Sequence, residues 1–356
     1  MPGIIDGLRP ISFVIGLWRI SYYVFVLATR LIISALYRAY MRNRKLRPVP
    51  PAHLDLPLLA SRLSDLPYQV ESKEEIAESI ATLLVDSNLL HFSDQELMQT
   101  NSVWFLAEGR RGSGQPLALF LIFRGTMSPT DAIADVMFRP NEAPNGVMCH
   151  GGFLRCLQDD KTLHERLNAH LGARANRYND MYVMGHSLGG ALSQVLAGGG
   201  FLPKSFAGKL HIISLGGPVP FYGVPNLELF DRATASASVL SIINANDVVP
   251  RLLGCPLSSF RELLKLLASS NNHRKQRELD AVIDTLEKYR GFRGYQLIFL
   301  HGGRAFEVPL GSRKYVLHLA EALHVRCIAD HLSYVSAVEA AAGAAPWSAC
   351  RFLSLS

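Results

Sequence analysis

The chain has few charged residues, and it lacks the cysteine patterns that a disulfide framework or a metal site requires. Only 19% of its 356 residues are charged and 49% are hydrophobic, which is enough for a sizeable core. The five cysteines are odd in number and show neither a CxxC pair nor a Cys/His ligand spacing. We therefore expect no metal site, and a reduced intracellular environment is favoured over secretion.

Beyond residue 47 the chain also lacks an excess of either charge. The net charge of the whole chain is +6, but residues 1–47 alone carry +7, which leaves about −1 for the remainder. A surface that binds nucleic acid normally needs basic side chains to neutralise phosphates. A nucleic acid is therefore not an expected partner.

An uninterrupted apolar run of about 20 residues, the length that a spanning helix requires, is absent as well. Residues 11–40 are strongly apolar but contain Arg19 and Arg30, which would share one side of a helix with Arg9 and Arg38. This pattern is typical of a helix lying in the plane of a membrane. It also fits a spanning helix with snorkelling arginines, an organelle transit peptide, or a helix packed on the body. We predict membrane association through residues 11–40 with the body of the protein in the cytosol, and import into a plastid or mitochondrion is the alternative.

Prolines suggest where the globular domain begins. We predict an N-terminal segment over 1–47, a stiff linker over 48–67 and one domain over 68–345. Within that domain, residues 258–290 form an insertion with two helical patterns joined by a basic turn. The insertion is equally compatible with a cap, a membrane-docking element or a solvated decoration. The prolines that indicate the linker are Pro48, Pro50, Pro51 and Pro57.

Apolar strands alternate with helical patterns through most of this domain. Such alternation predicts an α/β fold in which helices flank a mostly parallel central sheet. The last two strands surround a pair of glycines and predict a hairpin. The predicted strands cover residues 103–107, 117–123, 181–184, 210–215, 239–243, 295–300 and 305–308.

The most informative motif is Gly185-His186-Ser187-Leu188-Gly189, which lies between an apolar strand and a helical pattern. A serine at such a sharp strand-to-helix turn is typical of a nucleophile elbow. A Cβ at either glycine would clash with neighbouring backbone. We predict Ser187 as a nucleophile and the N–H of Leu188 as a donor to an oxyanion. The alternative is a glycine-rich turn whose serine has no catalytic role.

A second oxyanion donor is expected on the loop that follows strand 117–123. Thr126 lies there, directly after Gly125, and offers both an N–H and a hydroxyl. An ordinary turn is the alternative. Residues 127–138 follow with an amphipathic pattern, which fits either a lid over the site or a packed helix.

An acid and a base should follow the nucleophile in chain order. Asp247 lies just past strand 239–243, at the sheet edge where Ser187 is expected, although an Asn-rich turn can also hold an aspartate for local hydrogen bonding. His331 is favoured as the base because it opens the predicted final helix, where its ring can project from a loop. Four other histidines also follow Asp247 and stay as alternatives: His273, His301, His318 and His324.

Together these motifs resemble the class 3 lipase family of α/β-hydrolases, which includes fungal triacylglycerol lipases, diacylglycerol lipases and plant plastid phospholipases and galactolipases. The resemblance runs from about Trp104 to Val338. It rests on Phe123-Arg124-Gly125-Thr126, Asp135, His150-Gly151-Gly152-Phe153, Gly185 to Leu192, Gly216-Gly217-Pro218, Asp247-Val248-Val249-Pro250 and His331 with Tyr334.

This resemblance implies an α/β-hydrolase fold, here preceded by an apolar N-terminal helix. It also implies a catalytic triad of Ser187, Asp247 and His331, with Thr126 and Leu188 as the oxyanion hole. Two features depart from the family pattern. Ala132 stands where many members have a lid tryptophan, and the interval between Asp247 and His331 is long because of the insertion.

The expected activity is hydrolysis of a glycerolipid carboxylic ester through an acyl-enzyme, without a cofactor or a metal. Mono- or diacylglycerol is expected slightly ahead of triacylglycerol, at a membrane or lipid-droplet surface. One alternative is a phospholipase A1 or galactolipase of an organelle. The other is a lipase-like scaffold that has lost catalysis.

Overall fold

The computed structural model describes residues 45–69, 72–93, 103–125, 140–172, 177–203, 206, 208–222, 237–254, 296–309, 312–313, 316–317 and 326–347. The chain divides into two compact units, Met1–Lys45 and Leu46–Ser356. The predicted membrane-associated segment 11–40, Thr126, the predicted lid and the insertion 258–290 lie outside the described residues. No described helix combines the length and the hydropathy that crossing a bilayer requires.

The strands of the described residues are β1 (Arg47–Pro48), β2 (Val85–Phe92), β3 (Trp104–Arg110), β4 (Ala118–Phe123), β5 (Pro140–Glu142), β6 (Met148–His150), β7 (Asp180–His186), β8 (Lys209–Leu215), β9 (Ala237–Asn244), β10 (Gln296–His301) and β11 (Arg304–Glu307). The helices are α1 (Asp55–Gln69), α2 (Lys73–Leu83), α3 (Gly151–Gln158), α4 (Lys161–Leu167), α5 (Leu188–Gly198), α6 (Val249–Gly254), α7 (Cys327–Leu332) and α8 (Tyr334–Ala342). A 3₁₀ turn covers Pro51–His53, and a π-helical turn covers Asn168–Gly172.

Nine of the described strands form one mixed sheet in the order β1-β11-β10-β9-β8-β7-β4-β3-β2. The five central strands, β10, β9, β8, β7 and β4, are parallel to one another. The outer pairs on both sides are antiparallel, and they include the predicted β10–β11 hairpin. The predicted α/β architecture is confirmed. Its parallel part carries the carboxyl ends of these five strands to one edge, where an α/β sheet places its site.

Helices cover both faces of this sheet, because its central strands are apolar on both sides. In β4, Leu119, Leu121 and Phe123 point into the core formed with α3, α4 and α5. Phe120 and Ile122 point into the opposite core, formed with α1, α2 and α8. All five side chains are 0% exposed. The two cores hold the strand ends rigidly in place.

The predicted linker over 48–67 is wrong for its second half, because residues 55–67 belong to α1. This helix buries Ala60, Leu63 and Leu66 against the sheet. The prolines do not prevent it from forming. Pro57 lies in the first turn, where the missing N–H has no intrahelical partner to lose, and Pro67 lies in the last turn.

Candidate active site

Ser187 lies at the turn between β7 and α5, on the edge where the parallel strands end. Its backbone has a φ of 57°, an uncommon conformation for a residue other than glycine, and it costs roughly 1–3 kcal/mol. The surrounding sheet supports this conformation, since the Ser187 N–H donates to the carbonyl of Leu215 at 2.9 Å. Ser187 is buried, with 2% of its surface exposed.

The glycines on either side of Ser187 allow the turn to pack against β4. A Cβ on Gly189 would lie 2.2 Å from the carbonyl oxygen of Phe123. A Cβ on Gly185 would lie 2.5 Å from the carbonyl carbon of Gly189. Neither position has room for a side chain, so these two residues bring the N-terminus of α5 against the end of β4.

Ser187, His331 and Asp247 form a continuous hydrogen-bonded chain. His331 Nε2 lies 2.9 Å from Ser187 Oγ, and His331 Nδ1 lies 3.0 Å from both carboxylate oxygens of Asp247. The three side chains are 0–2% exposed. Because a carboxylate accepts and cannot donate, the proton of the neutral ring belongs on Nδ1, which leaves Nε2 free to accept the serine proton. This arrangement can generate a serine nucleophile by general-base catalysis.

Several donors hold the Asp247 carboxylate in one orientation. The Val249 N–H donates to Oδ1 at 2.9 Å, and the Tyr334 hydroxyl donates to Oδ2 at 2.6 Å. Burial and the charge of Asp247 raise the pKa of Tyr334 well above its ordinary value, so its hydroxyl stays protonated as a donor. The buried guanidinium of Arg251 donates to the main-chain carbonyls of Asp247 and Ala245 and so fixes the turn that carries the acid.

His331 lies in the last turn of α7, and the next helix, α8, begins at Tyr334. Its position therefore differs from the predicted one at the start of the final helix. The chain bends between α7 and α8, and the contacts of Asp330 fix that bend. The Asp330 carbonyl accepts from the Asn244 side chain at 2.7 Å, and its carboxylate accepts both the N–H and the side-chain amide of Asn246. The turn that carries Asp247 and the helix that carries His331 are thereby joined by hydrogen bonds.

The structure describes part of the predicted oxyanion hole. Leu188 is the first residue of α5, where an N–H has no acceptor within the helix and can serve a developing anion. The loop after β4 is described as far as Gly125, one residue before Thr126. The N–H of Gly125 donates to the hydroxyl of Tyr68 at 2.7 Å.

His186, between Gly185 and Ser187, contacts His331 directly. Its Nε2 lies 2.8 Å from the carbonyl oxygen of His331, and the two ring centroids are 4.6 Å apart. Burial, followed by the charge of His331, lowers the pKa of His186 to about 3. His186 is therefore neutral whenever His331 takes up a proton, so no second cation opposes that step.

His301, the one alternative base among the described residues, is not part of this hydrogen-bonded chain. His301 is exposed at the end of β10, where the hairpin turns. His273, His318 and His324 lie outside the described residues, as does Asp135. Within the described part of the chain, no group of three or more His, Cys, Asp or Glu side chains is placed to hold a metal ion.

Sequence analysis did not find every residue that shapes this site. Asn246 and Asp330 were not singled out, although the run of asparagines before Asp247 was a signal that we interpreted as a local turn. Tyr68 lies near the end of α1, one residue past the predicted linker, and Arg251 lies in the short helix α6. Nothing in the local sequence pattern of either residue indicates a contact with the site.

Comparison with known proteins adds an independent line of evidence. The family described as Lipase (class 3) matches residues 120–257, which include the end of β4, the elbow and Asp247. Curated protein sequences give no match.

Three solved structures are similar in fold. The lipase of Rhizomucor miehei in its propeptide complex has a TM-score of 0.54 at 17% identity, covering 82% of each chain. The Lip2 lipase of Yarrowia lipolytica has a TM-score of 0.54 at 14% identity, covering 82% of this chain and 96% of its own. A triacylglycerol lipase with a catalytic centre formed by a serine protease triad has a TM-score of 0.50 at 17% identity, covering 74% and 86%. The chain therefore resembles the class 3 lipases over residues 120–257, and its architecture is that of the α/β-hydrolase fold.

Proposed function

We propose that this protein is a serine hydrolase that cleaves carboxylic esters of glycerolipids through an acyl-enzyme intermediate. The observation that carries the proposal is the hydrogen-bonded chain from Ser187 Oγ through His331 to Asp247. The match of residues 120–257 to the class 3 lipase family supports the ester chemistry. The fold alone would not, because one fold hosts many functions.

The geometry suggests a role for each group. His331 Nε2 takes the proton of Ser187 as Oγ attacks the ester carbonyl, and Asp247 holds the imidazole tautomer and stabilises the imidazolium. The Leu188 N–H, with Thr126 as the proposed second donor, stabilises the oxyanion. His331 then protonates the leaving alcohol. A water molecule, activated by the same ring, releases the fatty acid and restores the serine.

A lipid surface is the proposed setting for this reaction. Leu332, directly after the base, is 64% exposed, and Ile328, one turn earlier on the same face of α7, is 37% exposed. Large apolar side chains at such exposure beside a reactive serine favour a substrate that presents apolar surface. We propose dispersed or membrane-held mono- and diacylglycerol ahead of triacylglycerol. The membrane association of residues 11–40 remains part of the same proposal.

The test is fatty-acid release by the purified protein from a panel of mono-, di- and triacylglycerol, phosphatidylcholine and a galactolipid. Ser187→Ala should lower the rate by on the order of 10⁶ and abolish labelling by a fluorophosphonate. Ser336→Ala, which removes an exposed hydroxyl near the start of α8, is the matched control and should keep full activity.

Each outcome of the panel assigns a different function. Release from neutral glycerides supports the proposal. Release mainly from phosphatidylcholine or the galactolipid moves the protein to the organelle phospholipase or galactolipase alternative. If no lipid in the panel releases fatty acid and the fluorophosphonate does not label Ser187, the result would support a scaffold without catalysis.

A further inference from the structure

Tyr68 brings a hydroxyl from α1 to the edge of the sheet where the site lies. It occupies the last turn of that helix, 57 residues before Gly125. Its oxygen accepts the Gly125 N–H at 2.7 Å and lies 3.3 Å from Nδ1 of His186. One hydroxyl therefore connects the end of β4, which leads into the oxyanion loop, with the end of β7, which leads into the elbow.

The donors and acceptors of this connection are fixed by chemistry. Because His186 Nε2 donates to the carbonyl oxygen of His331, the neutral ring has no proton on Nδ1. Nδ1 must therefore accept, and the Tyr68 hydroxyl donates to it while its oxygen accepts from Gly125. Burial raises the pKa of Tyr68, so the hydroxyl keeps the proton that it donates. The chain of bonds runs from Gly125 through Tyr68 and His186 to the main chain of His331.

The packing around Gly125 gives this connection little freedom. A Cβ built on Gly125 would lie 2.5 Å from the Tyr68 hydroxyl, 2.6 Å from the carbonyl oxygen of His186 and 2.9 Å from Cβ of Ser187. The peptide that precedes Thr126 is thus held between the hydroxyl and the elbow. The hydrogen bond at the Gly125 N–H therefore fixes the orientation of the last described residue before the predicted oxyanion loop.

We propose that Tyr68 is a positioning residue for ester hydrolysis, whose hydroxyl sets the oxyanion loop relative to Ser187 and orients His186 beneath the base. The inference rests on the proposed function. If the Tyr68 hydroxyl only stabilised the fold, its removal would leave the rate of the chemical step unchanged. A positioning role affects the transition state more than the bound substrate, because the oxyanion forms only during reaction.

The test compares Tyr68→Phe with Tyr178→Phe on a soluble short-chain p-nitrophenyl ester. The hydroxyl of Tyr178 is also engaged, donating to Glu108 Oε2 at 2.7 Å, but outside the site, so this variant controls for the loss of one such bond. Active-site titration with a fluorophosphonate normalises kcat to the correctly folded fraction of each variant. A trifluoromethyl ketone, which forms a tetrahedral adduct with a serine nucleophile, reports oxyanion stabilisation separately.

Tyr68→Phe should lower kcat by about tenfold to 10²-fold with KM unchanged, since a donor misplaced by about 1 Å can cost that much. The inhibition constant of the ketone should rise by a similar factor. Tyr178→Phe should leave all three quantities as in the wild type. A wild-type kcat in Tyr68→Phe, or a fall that Tyr178→Phe shares, would overturn the inference. A wild-type protein inert to both the ester and the fluorophosphonate would instead refute the proposed function.

Discussion

Replacing Tyr334 with phenylalanine removes one hydroxyl from the centre of the buried network around the acid. This hydroxyl donates to Asp247 at 2.6 Å and accepts the Asn244 N–H at 2.9 Å, and Tyr334 is 3% exposed. A hydrogen bond to a charged group contributes roughly 1.5–3 kcal/mol, and an unpaired buried N–H costs roughly 1–3 kcal/mol. The free energy of unfolding should therefore fall by about 3–5 kcal/mol. For a domain of about 300 residues, Tm should fall by roughly 5–8 °C.

Activity should fall as well, because the Asp247 carboxylate loses one of its donors and can turn away from His331. We expect kcat for a soluble ester to drop by about tenfold to 10²-fold. Calorimetry gives Tm, and steady-state kinetics on titrated sites gives kcat. Tyr178→Phe is again the control, with a modest loss of Tm and full kcat. A Tyr334→Phe protein with wild-type kcat and a Tm within about 2 °C of wild type would refute the reasoning.

Two further predictions concern the elbow. Gly189→Ala should abolish ester hydrolysis and lower Tm, because its Cβ would lie 2.2 Å from the carbonyl oxygen of Phe123, whereas Gly172→Ala, with open space around it, should change neither quantity. Burial lowers the pKa of His186 to about 3. Below pH 6.5 the unfolded chain therefore binds a proton that the folded protein does not, and the free energy of unfolding decreases as the pH is lowered. Between pH 7 and pH 5 this group should remove about 1–2 kcal/mol of unfolding free energy measured in urea, and the same slope in His186→Gln would contradict the assignment.

The parts of the site that lie in contiguous residues were open to sequence analysis. The elbow is one such part, because the strand, the turn glycines and the helix follow one another within a single stretch around Ser187. The acid was also within reach, because Asp247 follows a strand whose parallel neighbours could be inferred. The sequence pattern favoured His331 but did not exclude the other histidines that follow Asp247. The position of His331 in the short helix α7, before the final helix, was not predicted.

The supporting contacts were beyond sequence analysis for a physical reason. The bonds from Asn244 and Asn246 to Asp330 join residues more than 80 positions apart, and hydrophobic periodicity carries no information about such pairs. Tyr68 was missed for a related reason. The prolines of 48–67 favoured a linker that ends one residue before Tyr68, whereas tertiary packing of the α1 leucines, including Leu63, makes residues 55–69 one helix.

The separation of the triad along the chain has a consequence for biosynthesis. Ser187 and His331 are 144 residues apart, and their hydrogen bond cannot form until both have left the ribosome. At a translation rate of roughly 5–20 residues per second, His331 is synthesised roughly 7–30 s after Ser187. A nascent chain therefore carries Ser187 without this hydrogen-bond partner until most of the protein has been made, so the proposed ester hydrolysis can begin only after synthesis is nearly complete.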